Sequence, residues 1–482
     1  MAGIGVKLNR IFQKNTLTTN LIGFGYSALI TIAPMIFILV ALLAMQVLLQ
    51  VSDTGYTMRE LYSCTILYIF IFALLTSAPF NSVLSRYMAD VIYNEEFDDI
   101  MPCFYIGLAF NVILSAILGI PFCWHEYHAG GVSIMYVLAS YTGFMALVLV
   151  FYCMLFLSVV KDYKKITLFF AIGMVFTVLL ALFLYRVLHQ EVTFSMLVGL
   201  DAGFLLIAAL EYAQIKNYFR TNSGNYRRVF GYFKRFWVLM VTNVFYVMGL
   251  YVHNFVFWTT DKRTIVANSF VCMTSYDMAA CVGMLTNISA TIIFITRVEM
   301  FFHSRYKAYS EAVIGGRGID IEVAKRRMFR QLAEEILNLA RIQFIISVIV
   351  YFLCVVLLPK FGFGGMMLRI YPCLAAGYFI LFLMYGTIIF LYYFNDLKGA
   401  MITALSFMAS TIAATFVATR LPVIWYGLGL VIGSFIGWTV GYMRLRWMEH
   451  NMDEHVFCNG SIMKKGHGGR PADQVYDRRD MA

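Results

Sequence analysis

The chain has 482 residues, of which 61% are hydrophobic and only 13% charged. So little charge, with a mean hydropathy of +0.75, excludes an ordinary soluble domain and calls for long apolar spans in lipid. The formal charge of +10 would suggest nucleic acid in a soluble protein; here the basic residues sit between apolar runs, where they set topology and meet anionic headgroups.

Residues 1–20 are short and basic, with Lys7, Arg10 and Lys14. Ile4, Leu8, Ile11 and Phe12 fall on one helical face, so the segment is expected to lie on the inner leaflet. The first apolar run is too long for a signal h-region and no small-residue cleavage site follows, so the N-terminus is expected to stay attached and cytoplasmic. Six spans follow, near 21–49, 60–84, 102–123, 132–158, 165–188 and 192–213. A polar connector, 214–235, precedes six more near 236–258, 276–301, 340–359, 369–394, 399–419 and 422–443. The tail, 444–482, is polar and cytoplasmic, with its end lacking the apolar content to fold. A β-barrel would show alternating segments of about ten residues, and none is seen. The fold class is therefore all-α: a polytopic membrane protein of about twelve transmembrane helices in two six-helix halves, 21–213 and 236–443.

Orientation follows from the basic residues. With the N-terminus inside, the outer segments hold seven of the 37 Lys and Arg: Arg59, Arg186, Lys262, Arg263, Lys360, Arg369 and Arg420. That bias places both termini in the cytoplasm. Ser85-Arg86-Tyr87 leaves the second span and Ser304-Arg305-Tyr306 leaves the eighth, a weak sign of duplication. Transporters built from repeats place their pathway between the halves.

The inner loop 302–339 is the largest polar stretch. Gly315-Gly316-Arg317-Gly318 breaks the helix and Asp320 is suited to cap a new one. Phe329, Leu332, Ile336 and Leu339 then line one face, while Lys325, Arg326, Arg327 and Arg330 make it basic. Two readings fit: a helix lying on anionic lipid, or a docking site for a cytoplasmic partner.

Catalytic signatures are missing. No P-loop, HExxH run or Cys/His cluster occurs, so no cofactor or metal is expected. His125 and His128 are placed in an outer loop with only Glu126 beside them, a poor zinc site. The nine cysteines are scattered and read as small apolar core residues. An embedded transferase would need clustered His or carboxylates at one depth, and the sequence offers none.

What remains is charge at membrane depth. Asp201 lies in mid-span within Gly199-Leu200-Asp201-Ala202-Gly203, and either faces a watery pathway or makes a structural hydrogen bond. Arg297 and Glu299 sit at the inner end of the eighth span, where Arg297 either snorkels or pairs with a carboxylate. His253 and Asn254 lie at the outer end of the seventh span, where interfacial water is expected to satisfy them. Pro34 is suited to kink the first span. Asn111 and Asn287 read as interhelical glue. Aromatics, 17% of the chain, serve interface and core, and would also stack on sugar rings.

Several stretches together resemble one family. Met1-Ala2-Gly3-Ile4-Gly5, Pro34, Ser85-Arg86-Tyr87-Met88-Ala89-Asp90 with Tyr93, Phe255-Val256-Phe257-Trp258, Ser275-Tyr276-Asp277, Arg297-Val298-Glu299-Met300-Phe301-Phe302 and His455-Val456-Phe457-Cys458 are similar to elements of the PelG family. Its members are polytopic inner-membrane proteins of Pel exopolysaccharide export, related to the flippase-like multidrug/oligosaccharidyl-lipid/polysaccharide superfamily. One element departs: His253-Asn254 stands where the family pattern has Asp-Lys. The resemblance implies export of a polymer rich in N-acetylgalactosamine-type sugars, a cytoplasmic glycosyltransferase that makes the nascent polysaccharide, and other Pel membrane subunits as partners, with no nucleic acid. Combined with charge placement, it makes Asp201, Arg86, Asp90, Arg297, Glu299, Asp277, Tyr276, His253, Asn254 and Pro34 candidates for pathway or gate. Two alternatives stay open: a lipid-linked saccharide flippase or multidrug exporter of the same architecture, and a non-transporting scaffold of a synthase complex.

Overall fold

The computed structural model describes residues 17–51, 54–160, 162–286, 302–361 and 364–458, with side chains from Ala33 onward except at 286, 360–361 and 457–458. Arg297, Glu299, Asn287, the amphipathic stretch up to residue 16 and the tail beyond residue 458 lie outside the described residues.

The chain is helical almost throughout. In order come α1 (Leu17–Leu48), α2 (Tyr56–Tyr93), α3 (Ile100–Gly130), α4 (Ile134–Val160), α5 (Tyr163–Arg186), α6 (Val192–Tyr218), α7 (Tyr226–Arg235) and α8 (Trp237–Trp258). A hairpin, β1 (Thr264–Val266) and β2 (Phe270–Cys272), leads to α9 (Thr274–Thr286). Then follow α10 (His303–Gly315), α11 (Gly318–Leu357), α12 (Met366–Tyr393), α13 (Leu397–Ala418) and α14 (Leu428–Asp453). Among the described residues ten helices are long and apolar enough to cross a bilayer. The first expected span coincides with α1, and the eighth begins as α9. All-helical architecture is what a bilayer demands, because each backbone N–H and C=O must be paired within its own segment.

The chain divides into two compact units. Among the described residues, those from 17 to 88 and from 97 to 278 form the first, and those from 89 to 96 and from 279 to 458 form the second. By contacts α8 belongs to the first unit, although in sequence it heads the second group of spans.

In the first unit α6 packs against α4 and α5, and α1 against α5. In the second, α14 packs against α12 and α13. Small residues permit that approach. Gly429, Gly433, Gly437 and Gly441 recur every fourth position on α14, where added Cβ atoms would strike Thr415, Thr411, Phe407 and Thr387. Such small-residue stripes bring helices close enough for dispersion contacts to replace the hydrophobic drive that lipid removes. At the start of α13, Asp396 accepts the Gly399 amide and takes two hydrogen bonds from Arg444 of α14, 2.5 Å from Nε and 3.2 Å from Nη2. The cap of one helix is thereby tied to the end of its neighbour.

Helix α11 has 40 residues, about 60 Å at 1.5 Å per residue, twice the thickness of a hydrocarbon core. It begins where the glycine run predicts. Asp320 accepts the Arg317 amide at 3.1 Å and satisfies one of the donors at the helix start. What reads as a loop at 302–339 is thus two helices, the second running unbroken into the next span. A further correction concerns α3. It continues through Pro121 to Gly130 and ends on Gly131 in the left-handed conformation, φ +64°. His125, Glu126 and His128 are therefore helical, not in a loop. The missing Pro121 amide and the polar His-Glu-Tyr-His run make this last turn look like a terminus in sequence.

Gly433→Val is expected to cost about 3 kcal/mol by forcing α13 and α14 apart. Thermal unfolding of the purified protein measures it, and a wild-type midpoint would contradict the close packing.

Candidate functional site

Helix α6 presents buried residues at Leu197, Leu200, Phe204, Ile207, Ala208, Glu211 and Ile215, a 3.6-residue period facing α4 and α5. Two carboxylates share this inward-facing side. Asp201 is 5% exposed and Glu211 is fully buried. Asp201 lies against α4 at Gly143, where an added Cβ would collide with its Oδ1, so only glycine admits the carboxylate there. The phenols of Tyr62 (α2) and Tyr136 (α4) lie within electrostatic reach of Asp201.

A third carboxylate comes from α3. Asn111, Ser115, Gly119, Phe122 and Glu126 recur at three- and four-residue spacing, and Glu126 is fully buried. It lines a cavity of about 230 Å³ whose walls include Tyr68, Phe72, Phe122, Tyr141, Phe144 and Phe270. Tyr136 lies within reach of Glu126 as well as Asp201. Its hydroxyl is 3.1 Å from Thr65 Oγ1, which itself donates to Leu61 O, so Tyr136 is the donor of that pair. Among the described residues, neither oxygen of Glu126 or Glu211 and not Oδ1 of Asp201 has a hydrogen-bond partner in the protein. A carboxylate held in apolar surroundings without donors is costly and has water, a cation, a proton or a hydroxyl-rich ligand as its natural partner.

A second polar network stands between α8 and α9. Asp277 is buried and accepts hydrogen bonds from Asn254 Nδ2 (2.7 Å), Trp258 Nε1 (3.1 Å) and the Met273 amide (2.9 Å). The Tyr276 hydroxyl is 2.9 Å from His253 Nδ1. His253 and Asn254 are 0% and 3% exposed, which corrects the expectation that interfacial water satisfies them. In the three-residue loop of the intervening hairpin, Ala267 and Asn268 both have φ +50°, and the Ser269 amide donates to Val266 O (3.3 Å). Tyr68 clamps the hairpin to α2: its hydroxyl donates to Val271 O (2.8 Å) and accepts from Val271 N (3.1 Å). The Tyr68 ring stacks on Trp258 at 5.0 Å.

Other sequence candidates are dispersed. Pro34 is half-buried inside an unbroken α1. The Arg86 guanidinium lies 4.4 Å over the Phe236 ring, and Asp90 stands one turn further along α2. Asn111 donates to Gly107 O in its own helix (2.8 Å); α3 and α4 are joined instead by Tyr152 Oη donating to Phe104 O (2.6 Å). On α11, Lys325 pairs with Asp453, Arg326 with Glu322 and Arg330 with Glu334, while Arg327 is exposed. Glu126, Glu211, Tyr62 and Tyr136 were not among the sequence candidates. The signal for both glutamates is their register: each falls at an inward position of its helix.

Three comparisons bear on this arrangement. The family PelG, described as "Putative exopolysaccharide Exporter (EPS-E)", matches residues 1–457. No curated protein matches the chain in sequence. Among solved structures, the chain is similar to an outward-facing multidrug resistance MATE transporter of the MOP superfamily: TM-score 0.58, 15% identity, covering 89% of this chain and 96% of that one. It is similar to the Vibrio cholerae MATE transporter VcmN in its bent form (0.57, 10% identity, 89% and 98% coverage). It is also similar to a MOP superfamily transporter from Pyrococcus furiosus (0.56, 14% identity, 89% and 96% coverage). At these identities the likeness is one of fold.

Asp277→Ala leaves three buried donors unpaired and is expected to destabilise the protein by about 3–5 kcal/mol, whereas Tyr276→Phe costs about 1 kcal/mol. Paired thermal melts check the order, and equal losses would contradict this account of the network.

Proposed function

From its membership of the PelG family of exopolysaccharide exporters, to which the chain belongs, we propose that it carries a nascent polysaccharide outward across the cytoplasmic membrane, with both termini inside. The polymer is Pel-like and rich in N-acetylgalactosamine-type sugars. A cytoplasmic glycosyltransferase supplies it, and other Pel membrane subunits complete the assembly. The protein acts as a transporter and not as an enzyme.

The observation that carries this reading is the burial of Asp201, Glu126 and Glu211 in one apolar helical unit, without donors among the described residues for most of their oxygens. A scaffold gains nothing from that arrangement, since apolar residues of similar volume would pack there at lower cost. A transporter does gain: a carboxylate that changes partner between states couples its surroundings to the movement of cargo. The aromatic walls beside Glu126 suit sugar faces or an apolar ligand, while the carboxylate supplies the hydrogen-bond acceptor. Asp277, Tyr276, His253 and Asn254 hold α8, the hairpin and α9 in register, and Arg86, Asp90, Arg297 and Glu299 serve the inner end. The basic side of α11 faces the synthase or anionic lipid.

Asp201→Leu, expressed at the wild-type level in polymer-producing cells, is expected to lower extracellular polymer at least about tenfold, the equivalent of about 1.4 kcal/mol on the limiting step. Full export would remove Asp201 from the transport machinery. The fold is shared with multidrug transporters, so proteoliposomes decide the cargo. Lipid-linked saccharide crossing without the synthase would favour a flippase instead.

A further inference from the structure

Cys64 and Cys272 are 208 residues apart in sequence, yet their sulfurs stand 2.7 Å apart. Cys64 is one helical turn before Tyr68 on α2, and Cys272 ends β2. Both are buried, 2% and 1% exposed. Unbonded heavy atoms rest about 3.5–4 Å apart, so this is the separation of sulfurs brought together for a bond.

The surroundings hold the two backbones in that relation. Tyr68 makes two hydrogen bonds to Val271, the residue before Cys272. Thr274 Oγ1 donates to Glu60 Oε2 at 2.8 Å, one turn of α2 before Cys64. The pair is therefore bracketed by contacts of α2 with β2 on one side and with the first residue of α9 on the other. Glu60 completes a group of three side chains that could grip a metal ion, all ligand atoms lying within 4.8 Å of one another. The sulfur separation argues against that use. Two thiolates on one tetrahedral zinc, each at about 2.3 Å, stand about 3.8 Å apart. The Glu60 carboxylate is also engaged by Thr274.

We propose that Cys64 and Cys272 are a modification site, joined in the cell as an intramolecular disulfide that staples the hairpin to α2. This rests on the outward placement of the α1–α2 and α8–α9 connections, which the distribution of Lys and Arg supports and which exposes the pair to an oxidising compartment. It does not depend on what is transported. The oxidant is an oxidised dithiol protein of that compartment. A thiolate of the pair attacks one sulfur of the donor disulfide, forming a mixed disulfide and releasing one donor thiolate. The second thiolate of the pair then attacks its partner's sulfur, closing the Cys64–Cys272 bond and releasing the other donor thiolate. Two electrons pass to the donor, and the two protons lost by the pair complete its dithiol. Because the thiols are buried in the finished fold, the exchange precedes docking of the hairpin.

The bond has a consequence for the cavity. Phe270, two residues before Cys272, is one of its walls, and Tyr68 on α2 is another. Stapling the hairpin fixes Phe270 over the space beside Glu126 while the helices around it move.

Thiol counting on the full-length protein tests the proposal. Cells are quenched in acid, the protein is denatured, and free thiols are alkylated with a mass-adding maleimide before or after reduction with dithiothreitol. Wild type is expected to show seven of its nine cysteines reactive before reduction and all nine after. Cys64→Ser and Cys272→Ser are each expected to show eight in both conditions. In cells lacking the disulfide donor, wild type is expected to approach nine before reduction. Nine free thiols in the denatured wild type from normal cells would overturn the proposal, and this readout needs no variant to fold. A metal bridge would give the same nine, because denaturation releases the ion.

Discussion

The cost of holding a carboxylate in an apolar helical interior is the constraint that organises the first unit. Among the described residues, Asp201, Glu126 and Glu211 are held there without protein donors for most of their oxygens, and the helices around them are shaped to admit them. Gly143 leaves room for Asp201 on α4, and α6 spends two positions of its inward face on acids. Tyr62, Tyr136 and Thr65 place hydroxyls nearby without saturating the carboxylates. An interior built for stability alone would use leucine or phenylalanine at these sites. Carboxylates with unmet hydrogen-bonding capacity favour water, a cation, a proton or a hydroxyl-rich ligand in the space beside them.

The network between α8 and α9 solves a different problem with similar residues. Asp277 is saturated: a side-chain amide, an indole and a backbone amide all donate to it. Buried but satisfied, it fixes geometry. His253 and Asn254 belong to this network, and Asn254 offers Asp277 a neutral donor. A contact with one charged partner depends less on salt than an ion pair would. The acid at the hairpin is thus saturated, while those on α6 and α3 keep unmet hydrogen-bonding capacity among the described residues.

Much of the architecture was legible in sequence because bilayer physics leaves few choices. Apolar runs of span length and glycine breaks each have one main explanation. Gly316-Arg317 with Asp320 marked a helix start, and Asp201 stood out as a charge in mid-span. Other features were hidden for physical reasons. Glu126 follows a proline and sits among histidines, so α3 looked finished before it was. Glu211 lies close to the basic end of its span, where a charge attracts no attention until the inward register of α6 is traced. The meeting of Cys64 and Cys272 depends on how a hairpin docks on a helix 208 positions earlier, and no local pattern reports that.

The central claim is that water reaches the carboxylates of the first unit while the protein works. Labelling by a membrane-impermeant, water-soluble carbodiimide, mapped by peptide mass spectrometry in polymer-producing cells, measures this directly. The account predicts time-dependent modification at Asp201 and Glu126 that slows when polymer synthesis is stopped and the cycle rests. Protection of both residues from the water-soluble reagent during active export, with reaction only towards a lipid-soluble carbodiimide, would contradict it.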